Sequence, residues 1–85
     1  MKDKPKPIHE IRLGAIRAVI WVNESSDGFF FTTTFSRLYP DKDGKEWETT
    51  DSFGYDDLLL LTDVGKRTRA WIHDQLQAAG QPPLL

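Results

Sequence analysis

Eighty-five residues with 39% hydrophobic and 28% charged side chains describe one small soluble domain. A chain of this length buries only about 60% of its unfolded surface, so its core is thin. It contains no cysteine, which excludes disulfides, thiolate chemistry and cysteine-based zinc sites, and a net charge of -2 argues against bulk attraction to phosphate.

Residues 1–7 alternate Lys and Pro. Pro removes backbone donors and favours extended chain, so a flexible arm is expected there. Residues 8–80 read as a single domain and residues 81–85 as a short tail. The first strand is expected over residues 9–13, with Ile11 and Leu13 on one face. The second, over residues 15–23, turns Ile16, Ala18, Ile20 and Val22 inward and Arg17, Val19 and Trp21 outward. The apolar positions therefore change from odd to even at Gly14. In a period-two structure that slip requires a bulge or a tight bend, and Gly14 is suited to either.

Residues 24–28 are dense in turn formers and read as a hairpin loop. A third strand over residues 29–39 carries Phe29, Phe31, Thr33 and Phe35 inward, with Thr32, Thr34 and Ser36 outward. Residues 40–44 make the next turn. A fourth strand over residues 47–53 is expected to face Trp47 and Phe53 inward, and Glu48, Thr50 and Ser52 outward.

The last element is a helix capped by Asp56 or Asp57. Leu58, Leu61, Val64, Thr68, Ile72 and Leu76 recur at helical spacing and form its buried stripe, with Trp71 on the flank. Gly65 inside it suggests close approach to the sheet. Gly80 stops it and Pro82-Pro83 prevents its resuming. The expected fold class is α+β, a four-stranded antiparallel β-meander followed by one C-terminal α-helix, in the order ββββα.

Charge divides along the chain. Residues 1–22 hold five basic against two acidic residues, residues 23–63 three against ten, and residues 64–85 three against one. The longest apolar run, residues 58–61, is too short for a bilayer and no signal peptide is evident, so a soluble cytoplasmic protein is expected.

Catalytic constellations are missing from the pattern. His9 and His73 sit in no metal or nucleophile motif, and the Asp41/Asp43 and Asp56/Asp57 pairs lie where turns and caps want them. No enzyme, cofactor, metal or small-molecule substrate is expected. The binding case rests on the outward sheet face. Arg12, Arg17, Trp21, Thr32, Thr34 and Arg37 would line it, Trp for base stacking, Arg for charge and the hydroxyls for hydrogen bonds. Lys66, Arg67 and Arg69 cannot share one helix face and read as a solvated surface. The thin core and the wide helix stripe (Leu61, Val64, Thr68, Trp71, Ile72) suggest a homodimer in which the helix covers the sheet and meets a second helix.

The strings IRLGAIRAVIWVNE, TTFSRLY, WETTDSF, DDLLLL and the closing AWI resemble a family of short bacterial proteins, from Pro7 to about His73. That resemblance implies no activity. In element order the chain is similar to the single-stranded-DNA-binding coactivators of the positive-cofactor-four type and to the Whirly proteins. Their likeness implies a dimer with paired helices and sheets that grip single strands. This chain departs from them in its lack of Lys-rich strands and in its acidic middle. The expected function is a small homodimeric module binding single-stranded nucleic acid on its sheet. The alternative is a protein-protein adaptor using the same face.

Overall fold

A computed structural model describes residues 5–80. It contains strands β1 (Lys6–Leu13), β2 (Ile16–Ser25), β3 (Gly28–Pro40) and β4 (Trp47–Thr50), then helix α1 (Tyr55–Ala78). The strands form one antiparallel sheet in sequential order, so the ββββα α+β fold read from the sequence is the fold observed. Residues 1–4 of the expected arm and the expected tail lie outside the described residues, but β1 already begins at Lys6.

The odd-to-even slip is a hairpin. Leu13 pairs with Ile16 across a two-residue turn, so the odd positions His9, Ile11 and Leu13 face the even positions Ile20, Ala18 and Ile16. Gly14 has φ +56° and Ala15 a negative φ, the sign pattern of a II′ turn, whose twist suits the strands it joins. The bulge lies elsewhere, at Ile8, where the pairing jumps between Pro7 and His9. The second hairpin is tighter than expected, with Ser25 paired to Gly28. In the loop before β4 the Asp41 carboxylate accepts the N–H groups of Asp43 (3.1 Å) and Lys45 (2.9 Å), which fixes the turn.

Helix α1 lies over β1 and β2. Its Val64 is fully buried against Ile16 and Ala18, with Ile11, Leu13, Phe35, Phe53, Leu60 and Leu61 packed around them. Farther along, the Trp71 indole stacks on the His9 ring at 4.4 Å and meets Phe31 edge-on at 6.0 Å. The helix stripe is therefore engaged by the sheet, and a helix pair built on Val64 and Thr68, both buried, is not available. Tyr55, Leu58 and Leu59 on the first turns are exposed instead.

Three local expectations are corrected. The N-cap is Gly54, not Asp56 or Asp57. Asp57 sits three residues later, and its carboxylate accepts the Gly54 N–H at 2.8 Å, half of a capping box. Trp47 is 66% exposed, because Pro40 pairs with Trp47 and Arg37 with Thr50. That register turns Glu48 and Thr50 to the helix side and Trp47 away from it. Phe53 still reaches the core because β4 ends at Thr50 and the alternation stops there. At Gly65 an added Cβ would meet nothing within 4 Å, so no close approach to the sheet explains it.

The two glycines should respond to alanine with opposite signs. Gly14→Ala is expected to lower stability by about 1 kcal/mol, through positive-φ strain rather than a clash, because its Cβ would meet Leu60 Cδ1 at an ordinary 3.5 Å. Gly65→Ala is expected to raise stability by about 1 kcal/mol through helix propensity. Thermal unfolding of the two variants beside the parent checks both signs.

Candidate functional site

One face of the sheet carries the helix and the other carries none among the described residues. Period-two alternation and the register fix what the uncovered face presents. From β1 it takes Arg12 and Glu10, and from β2 Arg17, Val19, Trp21 and Asn23. From β3 it takes Phe30, Thr32, Thr34, Ser36 and Leu38, and from β4 Thr49 and Trp47.

The centre of this face is organised by two side-chain hydrogen bonds. Trp21 lies opposite Thr32, yet its indole Nε1 donates to Thr34 Oγ1 at 3.0 Å, so the ring lies along the sheet instead of standing up from it. Asn23 Nδ2 donates to Thr32 Oγ1 at 3.0 Å. Both threonine oxygens thus act as acceptors, which leaves their hydroxyl hydrogens free to donate outward. Pro5, Trp21, Thr32 and Thr34 line a shallow depression of about 440 Å³. It is a surface for a flat group, not an enclosed cavity.

The basic end of the face lies beside it. Arg12 and Arg17 are direct cross-strand partners, a like-charge placement that by itself disfavours folding. Arg12 Nε donates to the Gly14 carbonyl at 3.1 Å. Arg17 reaches Glu10 only at 4.0 Å, and its buried Nε has no hydrogen-bond partner. Two guanidinium groups are thus gathered on an uncovered surface with one carboxylate, Glu10, near Arg17.

Arg37 does not belong to this face. It pairs with Ile16 and Thr50 and points to the helix side. There its Nε lies 3.2 Å from Asp57 Oδ2 and donates to the Ser52 carbonyl at 3.3 Å, tying β3 to the start of α1. Its guanidinium also lies 5.6 Å from the centre of the Tyr39 ring. Glu48, through hydrogen bonding first and charge second, holds the Tyr39 hydroxyl above its ordinary value, and Arg37 partly opposes it. Arg12, Arg17, Trp21, Thr32 and Thr34 do come together. Asn23 was missed, although it shares the odd parity of Arg17 and Trp21.

No family model, curated protein or solved structure matches the chain. The register places none of the acidic residues of the middle segment on the uncovered face. Asp27, Asp41, Asp43, Glu46 and Asp51 are in loops, Glu24 and Glu48 face the helix side, and Asp56, Asp57 and Asp63 are on α1. Glu10 is the one carboxylate that the register puts on this face among the described residues, against two arginines. No described helix is long and apolar enough to cross a membrane, and the described residues hold no cluster of three or more metal-binding side chains.

Proposed function

We propose that this protein is a small non-enzymatic, homodimeric binding module that holds single-stranded nucleic acid across its uncovered sheet face. The observation that carries the reading is the segregation of charge. Although the chain is net acidic, the face with Trp21 in its middle carries Arg12 and Arg17 against Glu10 alone among the described strand residues. A flat indole pinned by Thr34 is a platform for an unpaired base, and stacking of this kind is sequence-tolerant. The outward hydroxyls of Thr32 and Thr34 suit phosphate or base edges. The likeness of the ββββα order to the positive-cofactor-four and Whirly domains supports the same reading as analogy of fold.

Labelled single-stranded oligonucleotides, titrated by fluorescence anisotropy at low and at higher salt, test it. Stacking on the indole requires unstacked bases, so a single strand should bind more tightly than the matching duplex. Two arginine contacts per chain predict a slope of log K on log salt of about -1.4 for a single strand. No binding at low salt removes the nucleic-acid reading and leaves the face to a protein partner. A salt-independent interaction does the same.

A further inference from the structure

The longest strand is mostly unpaired on one side. β3 spans Gly28–Pro40, but β4 pairs with it only at Arg37, Leu38, Tyr39 and Pro40. Leu38 donates its N–H to the Ala15 carbonyl at 2.8 Å, so at this residue the backbone groups point toward β2. Along an antiparallel strand those groups alternate in direction. Even residues of β3 therefore bond to β2, and odd ones point the other way. Arg37 and Tyr39 lie beside β4. Phe29, Phe31, Thr33 and Phe35 have no strand beside them among the described residues.

The two edges of the sheet are treated differently. β1, the edge on the other side, carries Lys6 and Pro7, with Pro5 just before it and a register jump at Ile8, all features that discourage a further strand. Residues 29–36 contain no charge, no proline and no register jump. They are aromatic and β-branched, the composition that pairs most readily.

We infer that this edge of β3 is the dimer interface, joined antiparallel to the same edge of a second copy in an eight-stranded sheet. The inference rests on the homodimer reading above and gives it a surface. A second copy is the occupant because the segment is complementary to itself. Antiparallel pairing about a two-fold axis sets the same residues against each other. Its lack of charge also lets two net-acidic chains meet without like-charge pairs.

The short β4 limits the register. Arg37 of the partner subunit is already paired with that chain's own Thr50, so it must fall beyond the start of β3. An axis at Phe31 satisfies this. It sets Phe31 opposite its counterpart, Phe29 opposite Thr33 of the partner subunit, and carries the partner's β4 past the Ser26-Asp27 turn. The half-buried Phe29 and Phe31 then gain aromatic and β-branched neighbours across the seam. The two uncovered faces become one surface with a Trp21 on each side of the axis.

Sedimentation equilibrium of the full chain at micromolar concentration should give twice the 9.8 kDa chain mass. Amide exchange should show protection at Phe29, Phe31 and Thr33 that fades on dilution. Thr33→Pro removes an N–H that does not serve β2, so it should give a folded monomer with unchanged far-ultraviolet circular dichroism. Thr34→Pro removes one that does, and it should unfold the chain. A monomeric parent with fast exchange at these three amides overturns both the interface and the homodimer. A dimer that persists in Thr33→Pro but dissociates in Leu59→Glu overturns the interface alone and moves it to the exposed start of α1. Exchange on the parent decides the matter even where Thr33→Pro does not fold, since three unprotected amides in a dimer also overturn the edge pairing.

Discussion

Ile16→Ala is expected to lower the free energy of unfolding by about 2–5 kcal/mol, read as a shift of the urea midpoint at unchanged slope. Ile16 is fully buried and touches the three parts of the fold that must meet. It faces Leu13 across the first hairpin, Arg37 across β3, and lies in one cluster with Val64 of the helix. Truncation would leave a cavity between sheet and helix that neither can close, because Ala18 beside it is already small. A domain of this size has about 4–13 kcal/mol of total stability at 0.05–0.15 kcal/mol per residue, so the loss is a large share of the whole. Phe30, on the uncovered face and exposed, supplies the contrast. Its replacement by Ala should cost far less. If Ile16→Ala were as stable as the parent, the helix could not rest on β2 at Val64.

The same alternation that buries Ile16 made most of the fold readable before any coordinates. Ile16, Ala18 and Ile20 at one parity and Arg17, Val19 and Trp21 at the other follow from side chains pointing to opposite faces at every step. That rule holds only along an unbroken strand. It led to an incorrect orientation for Trp47 because β4 stops at Thr50, and Phe53 is placed by the turn into the helix, not by the pleat. Arg37 was misassigned for another reason. Its odd parity, shared with Phe31 and Phe35, already put it on the helix side, but its chemistry resembled that of Arg17. The ion pair with Asp57 shows what that parity is for.

Other features were beyond any local rule. The distribution of the ten acids of residues 23–63 depends on where the loops and helix fold, so the chain's acidic middle did not reveal an arginine-bearing face on which the register places none of them. The free edge of β3 arises from a mismatch between a thirteen-residue strand and a four-residue partner. Strand length is what propensity reads least well, since tertiary pairing decides where a strand ends.

Trp21→Ala should weaken binding of single-stranded DNA by about 1–3 kcal/mol, roughly 5- to 150-fold in affinity, with little change in thermal stability. The stability half follows from position. The indole is half-buried on a face without a helix, and its one hydrogen bond to Thr34 can be replaced by water. The affinity half follows from the flat ring held beside the Thr32 and Thr34 hydroxyls. Titration with DNA should also quench part of the Trp emission in the parent, and that part should vanish in the variant. Two arginines then separate charge from structure. Arg17→Ala should reduce the salt slope by about 0.7 for one lost phosphate contact, and it also relieves the cross-strand repulsion with Arg12. Arg37→Ala should leave the slope alone and lower stability, because it unties β3 from Asp57 and Ser52. The reverse pattern, with Arg37 governing the slope and Arg17 the melting temperature, would place the nucleic acid on the helix side. Unfolding of Trp21→Ala would instead make Trp21 a core residue, and the uncovered face would lose the group on which its affinity for unpaired bases depends.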